Sequence, residues 1–366
     1  MGKVSVILPI YNVEQYLREA LDSVTGQTLT DLEILCVNDG STDSSLDIIR
    51  EYAAKDSRIV VLTGPNGGYG KAMNRGLDNA TGEYIGILEP DDYLLPDMMQ
   101  TLYNAAKQHD LDMVKADFYR FTRENGEENR TLERLDRTET RYDQLLNPSQ
   151  DDSCIRFQLN TWSGIYRREF IEKYGIRHNE TPGASFQDNG FYFQTFAYAR
   201  RAMLIKQPFY CNRRDNPNSS VKSKEKVYCM NVEYDHIRDL LMRDRAVWER
   251  FQYMYWFKKY HNYWFTYNRI DDSYKPEYLN RMRQEFKRAM ELDQLRRSDF
   301  TDHEWKTIHS LIYRSNGAVS MLRDLWIVKK LAPLFPSFVK EAVVAVLDKA
   351  VAVLKKIIGI FRKKNG

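Results

Sequence analysis

Along the first 121 residues, apolar runs of strand length take turns with amphipathic segments. Val4 to Leu8, Leu32 to Val37, Ile59 to Leu62, Tyr84 to Leu88 and Met113 to Phe121 read as strands. Runs as apolar as Val4 to Leu8 need cover on both faces, as strands of a parallel sheet do. Between the strands, apolar positions recur three and four apart: Leu17, Ala20, Leu21 and Val24, then Leu46, Ile49 and Tyr52, then Ala72, Leu77 and Ala80. That spacing gives a helix one face to lay on a sheet. A further helix is expected from near Pro96 to Gln108. Repeated βα units of this length predict an α/β fold, a mostly parallel sheet wound with helices on both faces.

Polar loops close the strands, and ligands of such sheets bind beyond the carboxyl ends. Tyr11 follows the first strand and Asn38-Asp39-Gly40 the second. The loop Gly64 to Gly70, with Lys71 behind it, follows the third. Its backbone amides and cation suit an anion such as diphosphate. It matches neither a Walker loop nor GxGxxG. The fourth strand runs into Glu89-Pro90-Asp91-Asp92, where three carboxylates repel one another unless a cation or positive partner sits between them. The same stretch also reads as an acidic loop leading into a helix, with Asp92 in or near its first turn.

Further on, the pattern is less regular. Residues 122–152 are polar, with Arg123 to Asn129 a hairpin turn or loop. Leu159 to Phe170 reads as a strand or turn followed by a helix start, and its Trp162 is either a core ring or an acceptor wall. Thr181-Pro182-Gly183 forms a loop before Asp188, which opens an aromatic helix burying Phe191 and Phe196. An Asp there is commonly a cap. Beyond Lys222 the chain reads as helical, with Tyr253, Trp256, Phe257, Tyr260, Tyr263, Trp264 and Tyr267 on a wide aromatic face. That face either packs on the rest of the protein or offers a platform for a glycan.

At 366 residues and 43% hydrophobic, the chain can fill a full-size core. Its four cysteines, at 36, 154, 211 and 229, have no CxxC spacing, which favours a reduced, cytoplasmic protein without a zinc site. A strand beginning at Val4 leaves no room for a signal peptide. Of the net charge, +7 falls between Ser320 and Gly366, so the rest of the chain is acidic overall. A basic tail, rather than a basic folded face interleaved with aromatics, does not suggest a nucleic-acid binder. From Phe335 to Lys364, charged pairs every seven or eight residues interrupt apolar runs of at most six, too short to span a bilayer. A helix of that pattern would lie on an anionic membrane surface, pair with a second copy in a homo-oligomer, or pack on the protein itself.

The segments Val4 to Asn12, Val37 to Asp43, Asn66-Gly67-Gly68 with Asn74-Arg75-Gly76, Gly82 to Ile85 and the acidic stretch resemble, in that order, the GT-A fold family 2 glycosyltransferases. The resemblance covers about residues 3–220. It implies a GT-A catalytic domain over 1–221, with a nucleotide-binding part over 1–121 and an acceptor and base part over 122–221. A helical region over 222–334 and a basic amphipathic helix over 335–366 would follow. The activity it implies is inverting, metal-dependent transfer from a UDP-sugar to a glycan or lipid-linked acceptor in surface polysaccharide synthesis, on the inner face of the cell membrane. By that resemblance Pro9, Tyr11, Asp39, Gly67 and Lys71 would hold the nucleotide, with Arg213, Ser219 and Ser220 on the diphosphate. Asp91 would bind Mn2+ or Mg2+, Glu89 the metal or the ribose, and Asp188 would be the catalytic base. Four positions depart from the usual pattern: Asn38, Glu89, Gln187 and Cys211. Two other classes stay open, a noncatalytic sugar-nucleotide-binding scaffold and a nucleotidyltransferase. The latter expects a glycine-rich basic motif that Val4 to Asn12 lacks.

Overall fold

A computed structural model describes residues 2–313 except 185, 218, 220–222 and 225. The strands β1 (Val4–Ile10), β2 (Leu32–Asn38), β3 (Ile59–Thr63) and β4 (Tyr84–Ile87) pair in parallel in the order β3-β2-β1-β4. Helices α1 (Glu14–Thr25) and α2 (Ser45–Ala53) step outward from β1, whereas α3 (Tyr69–Asn79) carries the chain back across to β4. Right-handed crossovers therefore put α1 and α2 on one face and α3 on the other. The strand order reverses between β1 and β4, and the crevice beyond their carboxyl ends is the favoured place for a ligand. All of β1 is buried. Pro9 costs little there, because the pairing of β1 with β4 ends at Ile7 and Ile87.

The second half of the sheet is mixed rather than parallel. It contains β5 (Tyr93–Leu94), β6 (Met113–Glu124), β7 (Glu127–Glu133), β8 (Gly164–Arg167) and β9 (Ala202–Arg213), with α4 (Met98–Gln108), α5 (Arg168–Tyr174) and α6 (Asp188–Tyr198) between them. The order continues β4-β8-β6-β9-β5, with β7 paired to β6. Strand β8 runs antiparallel to both neighbours, while β6 and β9 are parallel. Asn125 and Gly126, with φ of 53° and 84°, make the two-residue turn that joins β6 to β7 as a hairpin. Strand β9 hides in the sequence because Lys206-Gln207-Pro208 interrupts its apolar pattern. A bulge takes up residues 206–209 between the Ala116 and Phe118 pairings. The segment from Tyr210 to Arg213 is the end of this strand.

Two compact units divide the chain, Met1–Tyr278 and Leu279–Gly366. The helices α7 (Cys229–Leu241) and α8 (Arg245–Arg269) thus belong with the sheet, and no domain boundary falls at 221/222. The reason is aromatic packing: Tyr234, Tyr255 and Tyr263 are fully buried, and Phe193 of α6 meets the rings of Tyr234 and Tyr255. The aromatic face of α8 is core, not a free platform, with Trp256, Tyr260 and Tyr267 also buried. In α9 (Lys275–Glu291), Arg283 of the second unit donates to the Leu311 carbonyl of α10 (Asp302–Tyr313). No described helix is long and apolar enough to cross a membrane. The expected tail helix, 335–366, lies outside the described residues.

Candidate active site

The acidic stretch after β4 divides its carboxylates between two jobs. Asp92 is 1% exposed and receives three donors from the end of β9: the Tyr210 hydroxyl at 2.8 Å, Asn212 Nδ2 at 3.0 Å and the Arg213 amide at 2.6 Å. The Tyr210 oxygen also accepts from the Glu89 amide at 3.0 Å, so one phenol braces both ends of the turn. Burial, then the charge of Asp91, push the Asp92 carboxyl up, and the three donors oppose them. Asp92 is therefore the strut of the loop, while Asp91 and Glu89 are half-buried.

Asp91 offers Oδ2 to Asn216 Nδ2 at 2.7 Å and its carbonyl to Arg213 Nε at 2.8 Å. Glu89 accepts from the Tyr69 hydroxyl at 2.7 Å. Burial pushes the Glu89 carboxyl up to about 8, Asp91 and Asp188 push the same way, and the Tyr69 hydroxyl pulls it down. Glu89 is thus within electrostatic reach of both Asp91 and Asp188, which lie far apart in the chain.

On the β2 side, Asp39 is buried and holds the glycine loop. Its oxygens accept from the amides of Gly67 at 2.9 Å and Gly68 at 2.8 Å. Gly68 has φ of 88°, and a Cβ there would lie 2.7 Å from the Gly183 amide, so only glycine fits. The next residue, Tyr69, donates its amide to the Gly183 carbonyl at 3.1 Å. Gln187 Nε2 donates to Gly183 O at 2.9 Å, Thr181 Oγ1 at 3.0 Å and Thr181 O at 3.2 Å. A Glu at 187 would turn a carboxylate onto these oxygens, which gives the departure there a physical reason. Asp188 follows as the first residue of α6, half-buried, its carboxyl raised by burial and opposed by Asn189. Contacts thus run from Asp39 through the glycine loop and Tyr69 to Glu89 on one branch and to Gln187, beside Asp188, on the other.

Other expected residues fall differently. Tyr11 is 48% exposed at the rim and Pro9 is buried inside β1. Lys71 is exposed on α3, its stem against Gly67. Arg213 is not available to a diphosphate: it is 7% exposed, packs between the rings of Tyr16 and Phe121, and is spent on Glu19 at 2.6 Å and the Asp91 carbonyl. The following residue, Arg214, is exposed and within electrostatic reach of Asp91 and Asp92. Ser219 is half-buried in the turn over the acidic loop, its amide directed at Asn216 O, and Ser220 lies outside the described residues. Trp162 is half-buried, stacked on Tyr210 at 4.2 Å and edge-to-face with Phe118 at 4.7 Å, so it supports the brace of the acidic loop. Cys211 is fully buried in a small cluster with Tyr93 and Phe121. Tyr69, Tyr210 and Asn216 were not singled out in sequence, although Asn216-Pro217 is a turn signal.

A family model described as Glycosyl transferase family 2 matches residues 5–205. An uncharacterized glycosyltransferase of Bacillus subtilis, EpsJ, is 37% identical over 223 residues, 59% of this chain and 62% of that protein. An uncharacterized glycosyltransferase of Escherichia coli, YibD, is 34% identical over 242 residues, 65% of this chain and 69% of its own length. Among solved structures, Staphylococcus aureus TarS 1–349 in complex with UDP-GlcNAc has a TM-score of 0.59 at 18% identity, covering 97% of this chain and 90% of TarS 1–349. At that identity the likeness is one of fold.

Proposed function

The chain belongs to glycosyl transferase family 2, and from that premise we propose that it moves a sugar, with inversion, from a UDP-sugar to a hydroxyl of a glycan or lipid-linked glycan in surface polysaccharide synthesis. One observation carries the reading. The connected contacts between the Asp39 loop, Glu89 and the start of α6 span the crevice where β1 and β4 diverge. The UDP-GlcNAc complex of TarS 1–349, which shares this fold, supports the choice of nucleotide.

In this reading Tyr11 borders the base, the glycine loop held by Asp39 shapes the nucleotide pocket, and Arg214 rather than Arg213 meets diphosphate. Mg2+ or Mn2+ typically takes one or two carboxylates, completed by water and phosphate oxygens. The residues fit that need. Asn216 engages one oxygen of Asp91 and Tyr69 one of Glu89, and both carboxylates follow the same strand at the crevice. Asp91 would hold the ion, with Glu89 on it or on the ribose. Such an ion, when bound, offsets the charge that a departing nucleoside diphosphate accumulates. Asp188, made more basic by burial, takes the proton of the attacking hydroxyl as the new glycosidic bond forms. Gln187 serves as a donor to its own loop, so its presence is no sign of a decayed site, which weakens the scaffold alternative.

Calorimetry with UDP tests the site. Mn2+ is expected to tighten UDP binding by about tenfold or more in the parent and to have little effect in Asp91→Ala. Equal UDP affinity with and without Mn2+ in the parent would refute the metal assignment.

A further inference from the structure

Helix α6 draws an acceptor for its first turn from another helix. Its N-cap residue, Gln187, makes no side-chain cap bond, because its amide is turned back onto Thr181 and Gly183. The first amides of a helix need acceptors and favour negative charge. Here the acceptor comes from α7. Glu233, 1% exposed, takes the Gly190 amide on Oε1 at 2.9 Å. The approach is so close that a Cβ on Gly190 would lie 2.4 Å from that oxygen. Burial pushes the Glu233 carboxyl up to about 7, and its two donors oppose the rise.

The second donor links the base side to the metal side. Glu233 Oε2 accepts from Asn179 Nδ2 at 3.0 Å. Asn179 belongs to a strap that Asn74 of α3 clamps, accepting from the His178 amide and donating to its carbonyl, both at 2.9 Å. That strap lies on the first turn of α3, next to the tyrosine that holds Glu89. One buried carboxylate therefore ties together the helix starts that carry Tyr69 and Asp188.

A second line reaches Asp188 from α8. Asn262 Nδ2 donates to Asn189 Oδ1 at 2.9 Å and to the Tyr234 hydroxyl at 2.7 Å. With its oxygen so occupied, Asn189 turns its nitrogen toward Asp188 Oδ1 at 3.1 Å and Phe186 O at 3.0 Å. An amide nitrogen has two hydrogens, and each of these two is fully used. The direction of every bond in the relay is thereby fixed.

Neither Glu233 nor Asn262 falls within residues 5–205, which the family model matches. Resting on the reading of Asp188 as the base, we infer that this chain completes its site from outside the family domain: Glu233 of α7 and Asn262 of α8 are positioning residues that orient Asp188. Asn262 sets the polarity of the amide facing the carboxylate. Glu233 sets where the start of α6 stands relative to α3.

The test is a split between rate and binding in the full chain, using whichever of UDP-glucose, UDP-galactose or UDP-N-acetylglucosamine releases UDP fastest with Mn2+. Asn262→Ala and Glu233→Gln are each expected to lower kcat by about tenfold or more, with UDP affinity by calorimetry held within about twofold. Asn262→Asp should lose more than Asn262→Ala, because Asn189 would then turn its nitrogen to the new carboxylate and its oxygen to Asp188. Parental kcat in both Asn262→Ala and Glu233→Gln would overturn the inference. So would a loss of UDP affinity matching the loss of rate in the Asn262 variants, since the role would then be structural. Asp188→Asn, run alongside, separates the two claims. If it is inactive while the positioning variants are unimpaired, only the inference fails. If it too turns over at the parental rate, the reading of the base fails with it.

Discussion

At the scale of single residues, adjacent carboxylates with similar sequence signals do opposite work. Asp92 has every partner it needs from β9, whereas Asp91 has one oxygen engaged by Asn216 and lies half-buried. Removing Asp92 strands three buried or half-buried donors. Asp92→Ala is expected to cost about 3 kcal/mol, read from urea unfolding midpoints, and Asp91→Ala much less. Equal, small losses would contradict the division of roles. Arg213 makes the same point from the other side. The family resemblance assigns Arg213 to diphosphate, but strand β9 turns its guanidinium inward, where Glu19 meets it. Sequence shows which residue types gather near a site. Which of two neighbours faces it depends on where a strand ends, and β9 was the strand whose pattern the Lys206-Gln207-Pro208 segment concealed.

Elements were legible where hydrophobic period and turn chemistry agreed. The strands β1 to β4, the hairpin at Asn125-Gly126 and the start of α6 at Asp188 all carried such signals. The two-residue strand β5 is too short to show a period, and the antiparallel course of β8 depends on long-range pairing. Strand β6 holds another feature the sequence did not announce: Lys115, 1% exposed, donates to the Asn160 carbonyl at 3.0 Å and to its Oδ1 at 2.9 Å. Burial pushes its amine down to about 7. The unfolded chain keeps a Lys charged to near its ordinary value, so between about pH 7 and 10 the unfolded state binds more protons. Stability contributed by this site therefore rises with pH through that window. Thermal unfolding from pH 7 to 9 is expected to show a smaller rise, or a steeper fall, in Tm for Lys115→Met than for the parent. Parallel pH profiles would show that Lys115 stays charged in the fold.

For the whole molecule, the family match ends at residue 205, but the compact unit that holds the site runs to Tyr278. The sequence led one to expect a break at 221/222, because composition turns helical there. Packing of α7 and α8 against α6 removes the break and, through Glu233 and Asn262, brings the helices into the chemistry. The basic segment 335–366 belongs to this scale as well. Its charge and apolar pattern support peripheral attachment to an anionic surface. A chain truncated after residue 334 is expected to lose sedimentation with phosphatidylglycerol vesicles while retaining UDP binding, and undiminished sedimentation would rule the attachment out. Sugar transfer with Asp188 as base is read out by UDP release. Parent and Asp188→Asn are followed on the three UDP-sugars with Mn2+, with UDP affinity measured on the same samples. Steady UDP release by the parent is expected on at least one donor, with a fall of about a hundredfold or more in Asp188→Asn and UDP affinity retained. Release at the parental rate by Asp188→Asn, or none by the parent on any donor despite tight UDP binding, would contradict it.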